Sequence, residues 1–310
     1  MSEKVGNVVL NYDHYSGIDL YSEGDVEDEL LDIVQSNEER QFNNIIAERK
    51  KWSIMYHLSH IRGNIVEWLP ISKKQTVLEI GSGCGAITGV LANKAKKVTC
   101  IELSKKRSLI NAYRNRDKEN IEILLGNFEE VERDIIEKYD YITLIGVFEY
   151  SESYILQKKP YVNFLNIIRK HLKNNGKVII AIENKLGLKY WAGCKEDHVD
   201  RYFENIEDYT KTKGVKTFSR KELEEIMQES GFYNYKFYYP YPDYKLPTQI
   251  YSDSYLPKRG ELNNNNRNFD KERIVTFDES KVYDTIIKEG LFPVYSNSYL
   301  IVIDEQGECK

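Results

Sequence analysis

Apolar residues recur along this chain in two rhythms, and the rhythm changes near residue 73. Trp52, Met55, Tyr56, Leu58, Ile61, Ile65 and Leu69 fall on one face of a helix predicted over 52–69, which Pro70 ends. Residues 25 to about 50 also predict a helix, with acids early and basic residues late, as the helix dipole prefers. Residues 1–24 carry scattered aromatics (Tyr12, His14, Tyr15 and Tyr21) without periodicity and predict an irregular arm. Short apolar runs then alternate with helical stretches. Strands are predicted near 77–80, 98–101, 121–124, 141–145 and 177–182, with helices over 86–94, 105–116, 128–138 and 161–172. Such alternation implies right-handed crossovers and a parallel sheet. Ser219 and Glu222 make a capping box for a helix that Gly231 closes, and strands near 236–239 and 299–303 follow. Between these last two strands lies a loop-rich insertion, about 242–292, whose run Asn263 to Asn266 predicts a mobile surface loop.

The first strand runs into Glu79-Ile80-Gly81-Ser82-Gly83-Cys84-Gly85, and a helix starts just after. Glycines without a Cβ permit a tight turn and let a ligand lie against bare backbone. The free N–H groups at the helix start favour an electron-rich ligand group. Glu79 ends the first strand and Glu102 the second, and an acid at the second strand end can accept both hydroxyls of an adenosine ribose. A relaxed dinucleotide fingerprint also fits Gly81, Gly83 and Ala86. An acid two residues before the first glycine would face a pyrophosphate, which disfavours that alternative.

Glu79-x-Gly81-x-Gly83-x-Gly85 followed by Glu102 resembles motifs I and II of the class I methyltransferases that use S-adenosyl-L-methionine (SAM). The resemblance implies an α/β, Rossmann-like fold with a mostly parallel seven-stranded sheet and an antiparallel last strand. It implies residues 1–72 as an arm and helices closing over cofactor or substrate, and 73–310 as the SAM-binding core. Gly81, Ser82, Gly83 and Gly85 would lie beside the methionine part of SAM, and Glu102, with Leu103 next to it, would hold the ribose. The family commonly places an acid after the third strand to bond the adenine amine. This chain has Asn127 there, whose amide oxygen can still accept. Phe128 stacks on adenine or packs as a helix start. Gly146 to Tyr150 follow the fourth strand, where the family faces the transferred methyl.

Composition narrows the setting. Hydrophobic residues make up 41% of the 310 and charged residues 30%, as in a soluble globular protein. No apolar run approaches a membrane span, and the start has no signal-like apolar region. The net charge of -5 gives no bulk attraction to nucleic acid. Cys84, Cys100, Cys194 and Cys309 form no CxxC pair, which predicts reduced thiols in a cytoplasmic protein and no zinc site.

The candidate chemistry lies after the fourth and fifth strands. Glu149 could orient or deprotonate an acceptor, or be a solvated acid in a helix's first turn. His198 is the leading base, because histidine titrates near neutrality, with Asp197 or Glu149 as orienting acids; a lid histidine without chemistry competes. Tyr21, Tyr150, Glu196 and Tyr244 are candidates for substrate contact. The tyrosines of 232–244 suit sugars or simply pack as strand and loop. His57 and Arg62 close over the site or belong to core or surface. No metal-ligand spacing is present, and methyl transfer from a sulfonium needs no metal in principle.

A narrower resemblance rests on 21–25, 56–59, 182–190, 196–198 and 241–247. These segments look like a bacterial methyltransferase group similar to modules found with glycosyltransferases of surface or flagellar glycan assembly. It implies a glycan or small-molecule acceptor with a hydroxyl, amine or phosphate, association with glycan-assembly enzymes, and no nucleic acid. The alternatives are a nicotinamide-dependent dehydrogenase and a SAM-binding subunit that activates a partner.

Overall fold

A computed structural model describes residues 1–19, 22–155, 158–265 and 272–305. Contacts between Cα atoms divide the chain into two compact units, 1–144 with 170–177, and 145–169 with 178–310. Ten strands are described: β1 (Ser2–Val5), β2 (Val8–His14), β3 (Thr76–Ile80), β4 (Lys97–Glu102), β5 (Ile121–Gly126), β6 (Tyr139–Ile145), β7 (Leu172–Glu183), β8 (Tyr235–Tyr241), β9 (Gln249–Ser252) and β10 (Ser298–Asp304).

In the first unit the strand order is β1-β2-β5-β4-β3-β6. β3 pairs parallel with β4 and β6, β4 with β5, and β5 with β2. Strands covered on both faces must be apolar throughout, and Val77, Leu78, Val98, Cys100, Ile142 and Leu144 are wholly buried. In the second unit the order is β7-β10-β8-β9, with β10 antiparallel to β8 and β8 antiparallel to β9. The last strand therefore runs antiparallel to β8 and lies between two earlier strands, as the sequence implies. The fold is Rossmann-like, with ten strands where the sequence predicts seven.

The three extra strands have a common cause. β1 and β9 have only four residues each, and the apolar start of β2 gives way to polar and aromatic residues from Asn11 to His14. The predicted irregular arm is an antiparallel hairpin of β1 and β2, whose Val5, Val8 and Leu10 are buried. β2 extends the parallel strands by pairing with β5. β9 comes from the predicted insertion and pairs with β8. Part of the asparagine run is tied down: the Asn264 N–H donates to Tyr241 Oη at 2.8 Å, and Tyr241 Oη donates to Asn265 Oδ1 at 3.0 Å. Asn266, Tyr21 and Cys309 lie outside the described residues.

Helices break where a polar side chain bonds its own backbone. The helix predicted over 25–50 is Asp25–Ser36 and Phe42–Arg49, interrupted at Asn37, whose Nδ2 donates to the Ile33 carbonyl at 2.9 Å. The helix predicted over 52–69 stops at Leu58, and Ser59 Oγ then accepts the Ile61 N–H to start a tight turn at His60–Gly63. The helix predicted over 128–138 ends at Val131. Leu30, Ile33, Val34, Phe42, Ile54 and Leu58 from the N-terminal helices pack with Cys84 of the glycine turn and Ile110 behind it. No described helix is long and apolar enough to cross a membrane.

Candidate active site

The glycine turn is built around Glu102. Its Oε2 accepts the Gly83 N–H at 2.7 Å and its Oε1 the Ser104 N–H at 3.0 Å. Burial pushes its pKa up, and the Ser104 N–H opposes that. Gly83 has φ +52°, and a Cβ there would meet nothing within 4 Å. Gly85 differs, because its Cβ would strike Asn111 Oδ1 at 2.3 Å. Gly85 is thus required by internal packing, whereas Gly83 borders open space that a ligand can fill. Ser82 Oγ is buried there without a hydrogen-bond partner. These two features fit a polar ligand lying on the turn.

Glu79 lies beneath the turn rather than on it. It is buried, and its Oε2 accepts from Thr88 Oγ1 at 2.6 Å and from Cys100 Sγ at 3.5 Å. Burial raises its pKa from 4.5 to about 7. Asn127 Oδ1 accepts the Glu129 N–H at 3.1 Å, capping a short helix. Phe128 is buried in the core, the packing alternative, and Leu103 is half-buried.

Sequence reasoning missed how the N-terminal segment fastens to this region. Asp19 accepts the N–H groups of Lys105 and Lys106 at 2.7 and 3.2 Å, at the start of the helix that follows Glu102. Arg107 donates to Glu27 at 2.7 Å and to Glu23 at 2.6 Å, and His57 Nε2 lies 3.1 Å from Glu23. His57 and Arg62 are buried, and Arg62 lies over the Tyr56 ring at 4.3 Å, which is the core reading of both.

The second unit holds the other cluster. Glu149 sits in a tight turn, Phe148–Tyr150, fixed by packing of Phe148 on Tyr161, Phe164 and Phe218. Glu149 is 1% exposed, so it is not a solvated helix-start acid. His198 is buried as well, with a side chain 8% exposed, and is no surface histidine. Its Nδ1 lies 2.8 Å from Glu196 Oε1, and its Nε2 lies 3.4 Å from Glu149 Oε1 and 3.7 Å from Glu183 Oε2. Burial alone would lower the His198 pKa, but Glu183, Glu149 and Glu196 hold it well above its ordinary value.

The carboxylate that meets the His198 ring at Nδ1 is Glu196, and Asp197 next to it faces elsewhere. Glu196 also accepts from Tyr209 Oη at 3.0 Å and from the N–H groups of His198 and Val199 at 2.7 and 2.8 Å. With both oxygens committed and 1% exposure, it does not suit substrate contact. Asp197 instead takes Lys189 Nζ at 2.7 Å, Lys245 Nζ at 2.8 Å and Tyr190 Oη at 2.8 Å. Burial would raise the Asp197 pKa, and the two lysines hold it well below its ordinary value. Lys245 also pairs with Glu183, and Lys189 with Asp243 at 2.7 Å. Tyr244 is buried, its hydroxyl 2.7 Å from where a side chain on Gly146 would begin. Tyr150 is half-buried and meets the His198 ring edge to face at 5.4 Å. Glu183 and Lys245 belong to the same cluster. Glu183 follows the strand predicted over 177–182, at the end where ligands gather, and so is readable from the sequence, but nothing local marks Lys245.

A family described as "Methyltransferase domain" matches residues 52–236. The chain belongs to this methyltransferase domain family. Its cofactor is SAM, and the dehydrogenase alternative falls. The chain is 32% identical over 112 residues to ribosomal RNA small subunit methyltransferase A of Borreliella burgdorferi strain ZS7, covering 36% of each chain. It is 33% identical over 96 residues to the protein of that name from Malacoplasma penetrans, covering 30% of this chain and 35% of the other. It therefore spans about a third of the length of these curated relatives. Among solved structures, Haemonchus contortus phosphoethanolamine N-methyltransferase 1, in complex with phosphoethanolamine and S-adenosylhomocysteine, superposes with TM-score 0.50 at 12% identity. That match covers 94% of this chain and 52% of the other, and shows the shared fold.

Three expectations follow for the methyltransferase. Gly83→Val removes measurable S-adenosylhomocysteine binding by calorimetry in a chain that still melts cooperatively, because the side chain fills the open face of the turn. Glu102→Ala weakens the same binding by about 1–3 kcal/mol, the usual cost of losing a charged hydrogen-bond partner. Between pH 4.5 and about 7, the folded chain keeps a proton on Glu79 that the unfolded chain has released. Stability from this group is therefore present below 4.5 and declines as pH rises toward 7, by an amount on the order of 3 kcal/mol. Melting curves of Glu79→Gln at pH 5 and 8 should show a smaller pH-dependent loss than wild type.

Proposed function

We propose that this chain transfers the methyl group of SAM to a hydroxyl or amine of a small-molecule or glycan acceptor. In this reading Glu149, Glu183 and His198 receive the acceptor. The observation that carries it is a pair of buried oxygens, Glu149 Oε2 and Glu183 Oε2, which have no hydrogen-bond partner among the described residues. Leaving such groups unmet costs about 1–3 kcal/mol each, and more when charged. An O–H or N–H donor on the acceptor would satisfy them. Either carboxylate could then orient the acceptor and take its proton, with His198 held in place by Glu196. Both carboxylates stand at or just beyond a strand's carboxyl end, where ligands gather in open α/β sheets. SAM, when bound, supplies a methyl on an excellent leaving group, so the protein's task is alignment and proton removal. We place Asn127 and Gly146 on the cofactor side, and Tyr150 and Tyr244 toward the acceptor. Residues 1–72 are the part that closes over the cofactor, and the glycan reading includes association with glycan-assembly enzymes. A second reading, ribosomal RNA as acceptor, is favoured by the names of the curated relatives.

The test is transfer of labelled methyl from SAM to a panel of glycan precursors, nucleotide sugars, small amines and small-subunit ribosomal RNA. Label in a small-molecule or glycan fraction is expected, and label on RNA alone would overturn the reading. With the true acceptor, Glu149→Gln and His198→Ala should each lose turnover by about two orders of magnitude or more and keep S-adenosylhomocysteine affinity. Unchanged turnover in both would remove this cluster from the chemistry.

A further inference from the structure

We propose that Glu149, Glu183 and His198 form a binding site for one divalent metal ion, of the kind that accepts mixed nitrogen and oxygen donors: Mn²⁺, Fe²⁺ or Zn²⁺. Their ligand atoms all lie within 4.8 Å of one another. The separations from His198 Nε2, 3.4 Å to Glu149 and 3.7 Å to Glu183, are long for hydrogen bonds. They are the right size for a different purpose. Two donors each about 2.1 Å from a tetrahedral ion stand about 3.4 Å apart.

Each donor is held from behind. His198 Nδ1 lies 2.8 Å from Glu196, so Nε2 is the nitrogen turned to the other two carboxylates. A ligating histidine with its far nitrogen on a carboxylate is a common support for a metal, because it fixes the ring and its tautomer. Glu183 Oε1 pairs with Lys245, leaving Oε2 for the centre. Glu149 rides on the turn locked by Phe148.

The second observation is independent of spacing. Among the described residues, Glu183 Oε2 and Glu149 Oε2, the second oxygen of the carboxylate whose Oε1 faces His198, have no hydrogen-bond partner, on residues 0% and 1% exposed. The site also sits in a wider ionic network. The connected groups comprise the carboxylates of Glu149, Glu183, Glu196, Asp197 and Asp243 against Lys189, Lys245 and His198. The imidazole nitrogen argues against Ca²⁺ and Mg²⁺, which prefer all-oxygen surroundings. If the proposed transfer holds, open positions on the ion would take the acceptor oxygen or nitrogen; that step rests on the reading above, but the site does not.

The test is a titration of the full chain with Mn²⁺ alone, without SAM or acceptor, following the electron-spin signal of free Mn²⁺. One ion per chain should bind. Glu149→Gln and Glu183→Gln, each checked for a cooperative melt, should weaken binding at least about tenfold, while Glu225→Gln, an exposed acid elsewhere, should not. A measurement needing no variant is the histidine ring spectrum of the wild-type chain, in which substoichiometric Mn²⁺ should broaden His198 before the other four histidines. Absence of stoichiometric binding, wild-type affinity in the folded glutamine variants, or broadening of another histidine first would overturn the site. An active chain that binds no Mn²⁺ overturns the site alone. An inactive chain that binds Mn²⁺ overturns the proposed transfer alone.

Discussion

A carboxylate carried out of water has to be met by a donor or a cation, and both units of this protein are organised around that constraint. In the first unit the donors are mostly backbone. Glu102 gathers the N–H groups of Gly83 and Ser104, and in doing so sets the shape of the glycine turn. Asp19 does the same for the helix that begins at Lys105. Where backbone does not reach, Arg107 answers Glu23 and Glu27, and Thr88 answers Glu79. A site made of backbone donors is rigid, which suits a cofactor that must be held in one pose.

The second unit answers the same constraint with side chains and leaves it incomplete. Lys189 and Lys245 compensate Asp197, Asp243 and one oxygen of Glu183, and Glu196 is fully engaged. What remains is a buried patch in which His198 Nε2 lies 3.4 Å from Glu149 and 3.7 Å from Glu183. Paired groups of this kind stabilise the loop 194–209 that carries them. Glu149 Oε2 and Glu183 Oε2 stay without a hydrogen-bond partner among the described residues. The two properties occur side by side because a strand end presents its last side chains outward while the loop behind it supplies the counter-charges.

The N-terminal segment shows how one unit is completed. β2 joins β5, Asp19 caps a helix, and the helices of 25–58 pack on the back of Cys84. These contacts are apolar burial and charge pairing together, so the segment is integral to the first unit. Cys84 itself is buried, and its thiol is pushed up to about 12, which removes it from thiolate chemistry.

The sequence by itself determined the alternation of strand and helix, the glycine turn, and the two acids at strand ends. Those features depend on neighbours within a few residues, where φ preference, capping and hydrophobic period act directly. The Ser219 and Glu222 capping box is such a case and appears as read. Tertiary structure alone decided which acids are free and which are engaged. Asp197 and Glu196 are adjacent in the chain and chemically alike, yet one is held by two lysines and the other grips His198. Lys189 and Lys245 lie far apart in sequence and converge on Asp197 only after the strands align. Ionic pairing is set by distance in space and by the local absence of water, and neither quantity is written in the order of the residues.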